Sequence, residues 1–307
     1  MIHHATRERF RGIIPTLLEW HRTNQRSFIW RDLRRSPYVV LVSEFMLQQT
    51  GVKQVEKHLP EFIRKFPTVK KLAAASRPEI IRAWHGLGYN RRAINLHLAA
   101  KAIAANGRFP KGLKELQELP GVGLYTASAV LAFAHNADVP VVDVNIERVL
   151  SRLWKPMPNF AATLPMRDIY ELDVSILPKG SSGVWHEALM DLGSTICTKN
   201  APKCSMCPLG PVCPSTTRMK RAFQERKAPQ ERRYFGQPRR IWRGRILKAT
   251  AEAEQITYKK LIAILRRKFK IDDSEFVPFV QSVLTMLGKE GFITQTKKGV
   301  IHLANHQ

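Results

Sequence analysis

What the 307-residue chain lacks narrows its reading first. No cysteine lies outside residues 197–213, which excludes scattered disulfides and makes the four that exist read as one site. Acidic residues are scarce: 25 Asp and Glu stand against 50 Lys and Arg, a formal charge of +25. That excess favours polyanions, nucleic acid first, and predicts salt-sensitive binding. No apolar run is long enough to span a bilayer. The opening residues, Met1 to Phe10, have no signal-peptide hydrophobic region, so an intracellular protein with no membrane partner is expected. Internal repeats and low-complexity tracts are absent. So is nearly all β-alternation before residue 197, which leaves an all-α body with room for two or three modest domains.

The body is organised around Leu119 to Arg148. Lys111 to Glu118 reads as a short amphipathic helical turn, stopped by Pro120. Gly121 and Gly123 allow a tight turn, and Leu124 to Ala134 follows as a small-residue helix. A helix that opens on two glycines presents free backbone N–H groups and a positive dipole end to an anion such as a DNA phosphate. A short loop later Asp143 begins the next helix, where its ordinary reading is an N-cap.

Upstream, apolar residues recur at helical spacing over Arg7 to Thr23. Pro37 suits the first turn of a helix through Val39 to Thr50 whose apolar residues run almost all the way round. Glu44 sits inside it, and a buried carboxylate tends to keep its proton unless paired. Helices are expected over Val55 to Phe66, Val69 to Ala75 and Ile94 to Asn106, and after Asp143 over Ile146 to Trp154, Met166 to Leu177 and Gly183 to Ile196. The turn Gly86-Leu87-Gly88-Tyr89 precedes two arginines.

Cys197, Cys204, Cys207 and Cys213 have the spacing C-x6-C-x2-C-x5-C. Zinc ribbons usually pair two C-x2-C units. One close pair with two spread cysteines favours a cubane [4Fe–4S] cluster, a structural zinc being the alternative. Lys199, Lys203 and Arg218 surround the loop and suggest DNA contact.

Leu119-Pro-Gly-Val-Gly123, Asp143 and the cysteine spacing, in that order, resemble the helix-hairpin-helix DNA glycosylase superfamily with an iron–sulfur loop, over about residues 7 to 216. Ser43 to Thr50, Gly86 to Tyr89 and Met190-Asp191-Leu192-Gly193 resemble its MutY-type adenine DNA glycosylases. The resemblance implies a two-domain helical fold. Residues 1–30 and 136–196 would form one domain, 31–135 a helical barrel with the hairpin, and 197–217 the cluster loop. It further implies a monomer acting on double-stranded DNA that contains a mismatch or oxidised base, in the cytoplasm with the nucleoid. Glu44 and Asp143 would be catalytic, supported by Tyr125. Trp30, Arg31 and Glu187 would bind adenine. Leu47, Gln49, Thr50 and Tyr89 would read the opposite base, and Gly121, Val122 and Gly123 would hold a phosphate. In endonuclease III relatives a lysine nucleophile occupies the position of Tyr125. Without that amine no Schiff base forms, which implies base removal without strand cleavage.

Two departures matter. Val144 follows Asp143 where adenine glycosylases carry Gly, so a reshaped turn is expected. Residues 218–307 do not resemble the Nudix-like domain that recognises 8-oxoguanine. Instead a basic linker is expected over 218–238, then helical patterns at Ile241 to Ala253, Tyr258 to Phe269 and Phe276 to Gly288. A hairpin turning at Lys297-Lys298-Gly299 completes a winged-helix-like α+β domain over 239–307, expected to grip DNA through a basic helix or wing. Thymine or uracil opposite guanine is therefore the second substrate reading. A non-catalytic DNA-binding or redox-sensing iron–sulfur protein is the third.

Overall fold

The computed structural model describes residues 10, 12–32, 36–159, 161–217, 232–296 and 299–304. Most of the expected linker (218–231) and the hairpin residues Lys297 and Lys298 lie outside them, as does Arg218. Two compact units emerge. The first comprises residues 1–41, 111–118 and 122–228, the second 42–110, 119–121 and 229–307. The expected division into an N/C-terminal helical domain, a barrel and a separate C-terminal domain therefore differs from these units. The second joins the C-terminal module to residues 42–110.

The first unit is built on α1 (Ile13–Asn24), α2 (Ile29–Asp32), α8 (Leu113–Gln117), α9 (Leu124–His135), α10 (Val144–Trp154), α11 (Met166–Ile176) and α12 (Ser182–Thr195). The helix expected from Arg7 is described from Ile13, with Phe10 already buried. Phe10, Leu17, Ile146, Leu150, Leu172, Trp185 and Leu189 share one core, assembled from the apolar stripes of four amphipathic helices. Asp173, fully buried, accepts from Trp185 Nε1 at 3.1 Å and faces His186 Nε2 at 2.8 Å.

Asp191 on α12 is the strongest knot in this unit. It is fully buried and meets His21 Nε2 of α1 at 3.2 Å. Arg26 reaches it through its backbone amide (3.1 Å) and Nε (2.7 Å), and Arg31 of α2 through both terminal nitrogens (2.8 and 3.0 Å). Burial by itself would raise its pKa. Hydrogen bonds from His21 and Arg31, the Arg31 charge and the Arg26 amide outweigh that and hold the carboxyl well below the usual range.

The second unit holds the greater part of α3 (Pro37–Leu47), with α4 (Val52–Lys65), α5 (Val69–Ala74), α6 (Arg77–Ala83) and α7 (Arg91–Ala105). Thr68 caps α5, and Ser76 caps α6 in a reciprocal capping box with Glu79, followed by Pro78. Trp84, fully buried, packs edge-on against Phe62 at 5.8 Å.

The C-terminal module follows the order α13 (Arg239–Ala253), β3 (Gln255–Thr257), α14 (Tyr258–Phe269), α15 (Phe276–Lys289), β4 (Ile293–Gln295), β5 (Val300–Leu303). Its sheet is antiparallel with β5 central, between β3 and β4. This is the winged-helix order, as expected. The short strand β3 was not legible in the sequence. Residues 233–238, expected as linker, instead form β1 (Arg233–Tyr234) and β2 (Gln237–Pro238), which pair as a small hairpin. Its Tyr234 stacks on Phe279 at 4.9 Å, and Phe235 packs edge-on to Phe276 at 5.1 Å. Of the module's helices, α15 carries little charge. It is largely apolar, while the exposed cations Lys259, Lys260, Arg267 and Lys268 lie on α14.

The module is bound to the rest of its unit through arginine. Arg77 donates to the carbonyls of Ala304 (3.2 Å) and Gly291 (2.6 Å), and Arg82 to that of Ala251 (3.0 Å). Helix α13 packs on α6. Trp242 sits at the module's centre, fully buried among Phe269, Phe276 and Phe279, its Nε1 donating to the Tyr234 carbonyl at 2.7 Å.

Trp242→Ala is expected to lower the unfolding free energy by roughly 3–5 kcal/mol, read by urea denaturation followed by circular dichroism. Asp191→Asn is expected to cost roughly 3–5 kcal/mol at neutral pH, because it leaves buried arginine charge uncompensated. A carboxyl whose folded pKa is depressed stabilises the fold fully above its unfolded pKa and loses that contribution as pH falls through the folded value. The stability gap between wild type and Asp191→Asn is therefore constant above about pH 4 and narrows progressively below it.

Candidate active site and cysteine loop

The hairpin is built as the glycines predict. Helix α8 ends at Gln117, and the chain turns through Leu119 to Gly123 before α9 starts at Leu124. Gly121 adopts φ +78°, and a Cβ there would stand 2.7 Å from Cβ of Asn95, so conformation and space both require glycine. Val122 is buried and anchors the turn. Gly123 is the N-cap of α9 and offers no side-chain cap, which leaves the helix's first amides available to an anion. Tyr125, in the first turn, is half-buried against the cluster of Ala129, Ala132 and Val141.

Asp143 is indeed an N-cap. Its Oδ1 accepts from the amides of Asn145 (2.9 Å) and Ile146 (2.7 Å), and its Oδ2 from Asn145 Nδ2 (2.7 Å). The side chain is half-buried. Capping and catalysis are compatible here, because three donors hold the carboxylate in one orientation with one oxygen bound by a single side chain. Val144 does not reshape this turn. It occupies the first helical position, is absent from the residues with positive φ, and projects outward at 70% exposure. The position therefore does not demand glycine.

Sequence reasoning missed what holds Asn145. Arg148, buried on α10, donates from one terminal nitrogen to Asn145 Oδ1 (2.8 Å) and the Gly193 carbonyl (2.6 Å). Its Nε donates to the Cys197 carbonyl (2.7 Å). Gly193 packs so closely on Asn145 that a Cβ would lie 2.7 Å from the Asn145 Cβ. The chain of contacts thus runs from the first cysteine through Arg148 and Asn145 to Asp143. Its only sequence signal is an arginine on the apolar face of α10, five residues after Asp143.

Glu44 lies on α3, buried at 6% exposure. Beyond it the helix ends at Leu47, three residues short of the expected Thr50. Gln49 takes φ 56° and Tyr89 φ 47°, a left-handed conformation that side chains seldom adopt and that needs enforcement by surrounding structure. Arg92 of α7 supplies it. Its guanidinium donates to the carbonyls of Phe45 (2.8 Å), Met46 (2.9 Å), Gln48, Leu87 (3.1 Å) and Gly88 (3.0 Å), and to Thr50 Oγ1 (2.8 Å). Thr50 Oγ1 also donates to the Leu87 carbonyl at 3.0 Å. Burial pulls the Arg92 pKa down to about 10, so the group stays charged at neutral pH. The result ties the end of α3, with Leu47, Gln49 and Thr50, to the Gly86–Tyr89 turn. Tyr89 stays 44% exposed above that guanidinium.

Trp30 stacks on Phe28 at 4.7 Å and remains half-buried. Glu187, buried on α12, pairs with Arg31 Nε at 3.3 Å. Arg31, expected at the adenine, is tied into its own unit. It spends its donors on Glu187, Asp191 and the Arg26 carbonyl and so acts as an internal brace.

The four cysteines line one small apolar recess with Arg152, Ile196 and Pro202. Arg152 faces Cys197 Sγ at 3.3 Å and donates to the carbonyls of Thr198 (2.9 Å) and Lys199 (3.1 Å). Burial pushes the Cys207 thiol up to about 12 and raises that of Cys213. Thiolates there need a cationic centre to hold them. Among the described residues no three His, Cys, Asp or Glu side chains close on a single ion position. Four thiols around one recess are a donor set that can hold a metal centre.

Comparison with known proteins agrees with this geometry. Residues 42–163 match the family described as HhH-GPD superfamily base excision DNA repair protein. The chain is 42% identical over 196 residues to an adenine DNA glycosylase of Mycobacterium tuberculosis, covering 63% of this chain and 64% of that one. It is 36% identical over 220 residues to the adenine DNA glycosylase of Homo sapiens, covering 68% and 40%. The matches thus span less than two thirds of these relatives' lengths. Among solved structures, a thermostable thymine-DNA glycosylase superposes with TM-score 0.63 at 29% identity, covering 70% of this chain and 99% of that one. An endonuclease III–DNA complex, at 23% identity and TM-score 0.60, shares the fold. Over residues 42–163, which hold the hairpin and the Asp143 cap, the chain is thus similar to the HhH-GPD superfamily of base excision DNA repair proteins, and in sequence it is similar to adenine DNA glycosylases.

Proposed function

We propose that this protein is a monofunctional DNA glycosylase that hydrolyses the N-glycosidic bond of adenine mispaired with 8-oxoguanine or guanine, acting as a monomer on duplex DNA. The observation that carries the adenine reading is Glu44, a carboxylate buried on an apolar helix within the matched region, where a purine acid is required. The open N-terminus of α9 and the basic surface bind the phosphate backbone, and the target nucleotide is turned out of the stack. Protonated Glu44 donates to N7 of the purine. The C1′–N9 bond breaks, its electron pair leaves with the base, and the ionised Asp143 stabilises the oxocarbenium-like sugar. Water then adds to C1′ and leaves an abasic site. Tyr125 supports this face and offers no amine for a Schiff base. Trp30 and Glu187 bind the adenine, with Arg31 positioning Glu187. Leu47, Gln49, Thr50 and Tyr89 read the opposite base, on the frame that Arg92 holds.

Cys197, Cys204, Cys207 and Cys213 would hold a [4Fe–4S] cluster. When bound, it supplies a covalent cross-link of the loop and a one-electron redox centre. Arg148 and Arg152 fix the loop's carbonyls around it.

A second reading, removal of thymine or uracil opposite guanine, is favoured by the likeness to the thymine-DNA glycosylase over nearly all of that chain. Duplexes carrying A opposite 8-oxoguanine, A opposite G, T opposite G and U opposite G separate the two. Adenine release with no strand break before alkali is expected. Release of T or U instead moves the protein to the second reading. No release from any duplex leaves a binding or redox-sensing protein. Glu44→Gln and Asp143→Asn should each slow release about 10²-fold or more, while affinity for a duplex with an abasic analogue stays within a few-fold. Near-full activity in either variant contradicts the mechanism. Elemental analysis of purified protein should find iron and acid-labile sulfide in equal amounts. One zinc per chain without sulfide overturns the cluster.

A further inference from the structure

The second unit contains a cavity of about 370 Å³ that the mechanism above does not use. Its walls come from α13, α14 and the Gly86–Gly88 turn. Arg240, Arg245, Lys248 and Lys268 bring four cations to it, against one carboxylate, Glu252. That carboxylate lies 3.6 Å from Lys248. His85 adds an imidazole, and the apolar part of the lining is Ile241, Ala249, Leu265, Phe269 and Ile264, the last being 38% exposed although large and aliphatic. Arg245 lies over the Phe269 ring at 3.8 Å and the Trp242 ring at 4.6 Å, which fixes a cationic, aromatic-backed wall. Gly86 and Gly88 contribute bare backbone at the rim, both at positive φ.

This combination selects a ligand. A net cationic lining asks for an anion, and an apolar, aromatic-backed wall asks for a flat ring. One nucleotide has both in one piece, and the volume lies in the range of small-molecule sites. The rim is the turn that Arg92 ties to Gln48 and Thr50. We propose that this cavity receives one nucleotide of the bound DNA strand, its phosphate against Arg240, Lys248 and Lys268 and its base against Ile264, Leu265 and Phe269. The module would thereby supply a base-contacting site of its own. The proposal rests on the reading of this protein as DNA-binding, and not on which base it excises.

Gly244 offers a clean way in. It lines the cavity from α13, and a Cβ added there meets nothing within 4 Å. Gly244→Phe should fill the cavity, Gly244→Ala should leave it open, and Lys268→Glu should reverse one charge. The full chain is titrated against duplexes bearing a non-hydrolysable abasic analogue, with 2-aminopurine placed at each neighbouring position on both strands in turn. At one position wild type and Gly244→Ala should raise 2-aminopurine emission as the base leaves the stack, and Gly244→Phe should abolish that rise. Gly244→Phe and Lys268→Glu should weaken duplex binding about three- to tenfold, and Lys268→Glu should lower the slope of log affinity against log salt by about 1. Unchanged emission and affinity in all variants overturn the proposal. So does binding of free deoxyguanosine monophosphate that Gly244→Phe abolishes while duplex binding is untouched, which would make the cavity a free-nucleotide site. Because the analogue cannot be cleaved, loss of binding in these variants stands even if wild type fails to release adenine. Adenine release with no cavity effect leaves the proposed function intact and removes only this site.

Discussion

A guanidinium taken out of water is costly unless its donors are filled, and this protein fills them largely with main-chain carbonyls. Arg92, buried, gathers the end of α3 and the Gly86–Tyr89 turn onto one group. Arg148 and Arg152 do the same for the start of the cysteine loop, and Arg77 for the edge of the C-terminal module. Each clamp joins segments that are distant in sequence and that have irregular backbone, where no helix or sheet ladder satisfies the carbonyls. In a chain with twice as many cations as acids, part of the positive charge is therefore internal framework, and the rest faces outward.

The clamps also explain why the candidate site residues can occupy costly conformations. Gln49 and Tyr89 have left-handed backbones, and both flank carbonyls that Arg92 holds. Asp143 is oriented by Asn145, which is oriented by Arg148, which reaches the Cys197 carbonyl. A change in the cysteine loop would reach the carboxylate through three hydrogen-bonded steps without moving the helix axis. This gives the cysteine loop a structural connection to Asp143.

The C-terminal module takes the winged-helix order but not its customary charge distribution. The third helix, usually the reading element, is apolar here, and the exposed cations gather on the second. The module also shares a unit with residues 42–110 rather than standing alone. Its cations therefore gather on α13 and α14, the helices that border the Gly86–Gly88 turn.

Much was legible in the sequence, for local reasons. Helical spacing placed nearly every helix to within a few residues, because burying one face is a short-range pattern. Gly121 was legible because only glycine accepts its φ and its clearance from Asn95. The cysteine spacing and the carboxylate of Asp143 after the hairpin were legible because chemistry of that kind needs particular residue types in order. The clamps were not. Nothing in the chain names the partners of Arg92, Arg148 or Asp191, which lie up to 170 residues away. The strand β3 and the hairpin of residues 233–238 escaped for a related reason: two or three residues carry no periodicity, and only pairing with β5 or packing on Phe279 makes them elements. The partners of Arg31, Glu187 and Asp191, lie more than 150 residues away and are brought to it only by the tertiary structure. The sequence by itself determined the elements and the reactive side chains, since those depend on neighbours in the chain. Only the tertiary structure decided which charges are framework and which remain available, since that depends on what the fold brings within hydrogen-bonding distance.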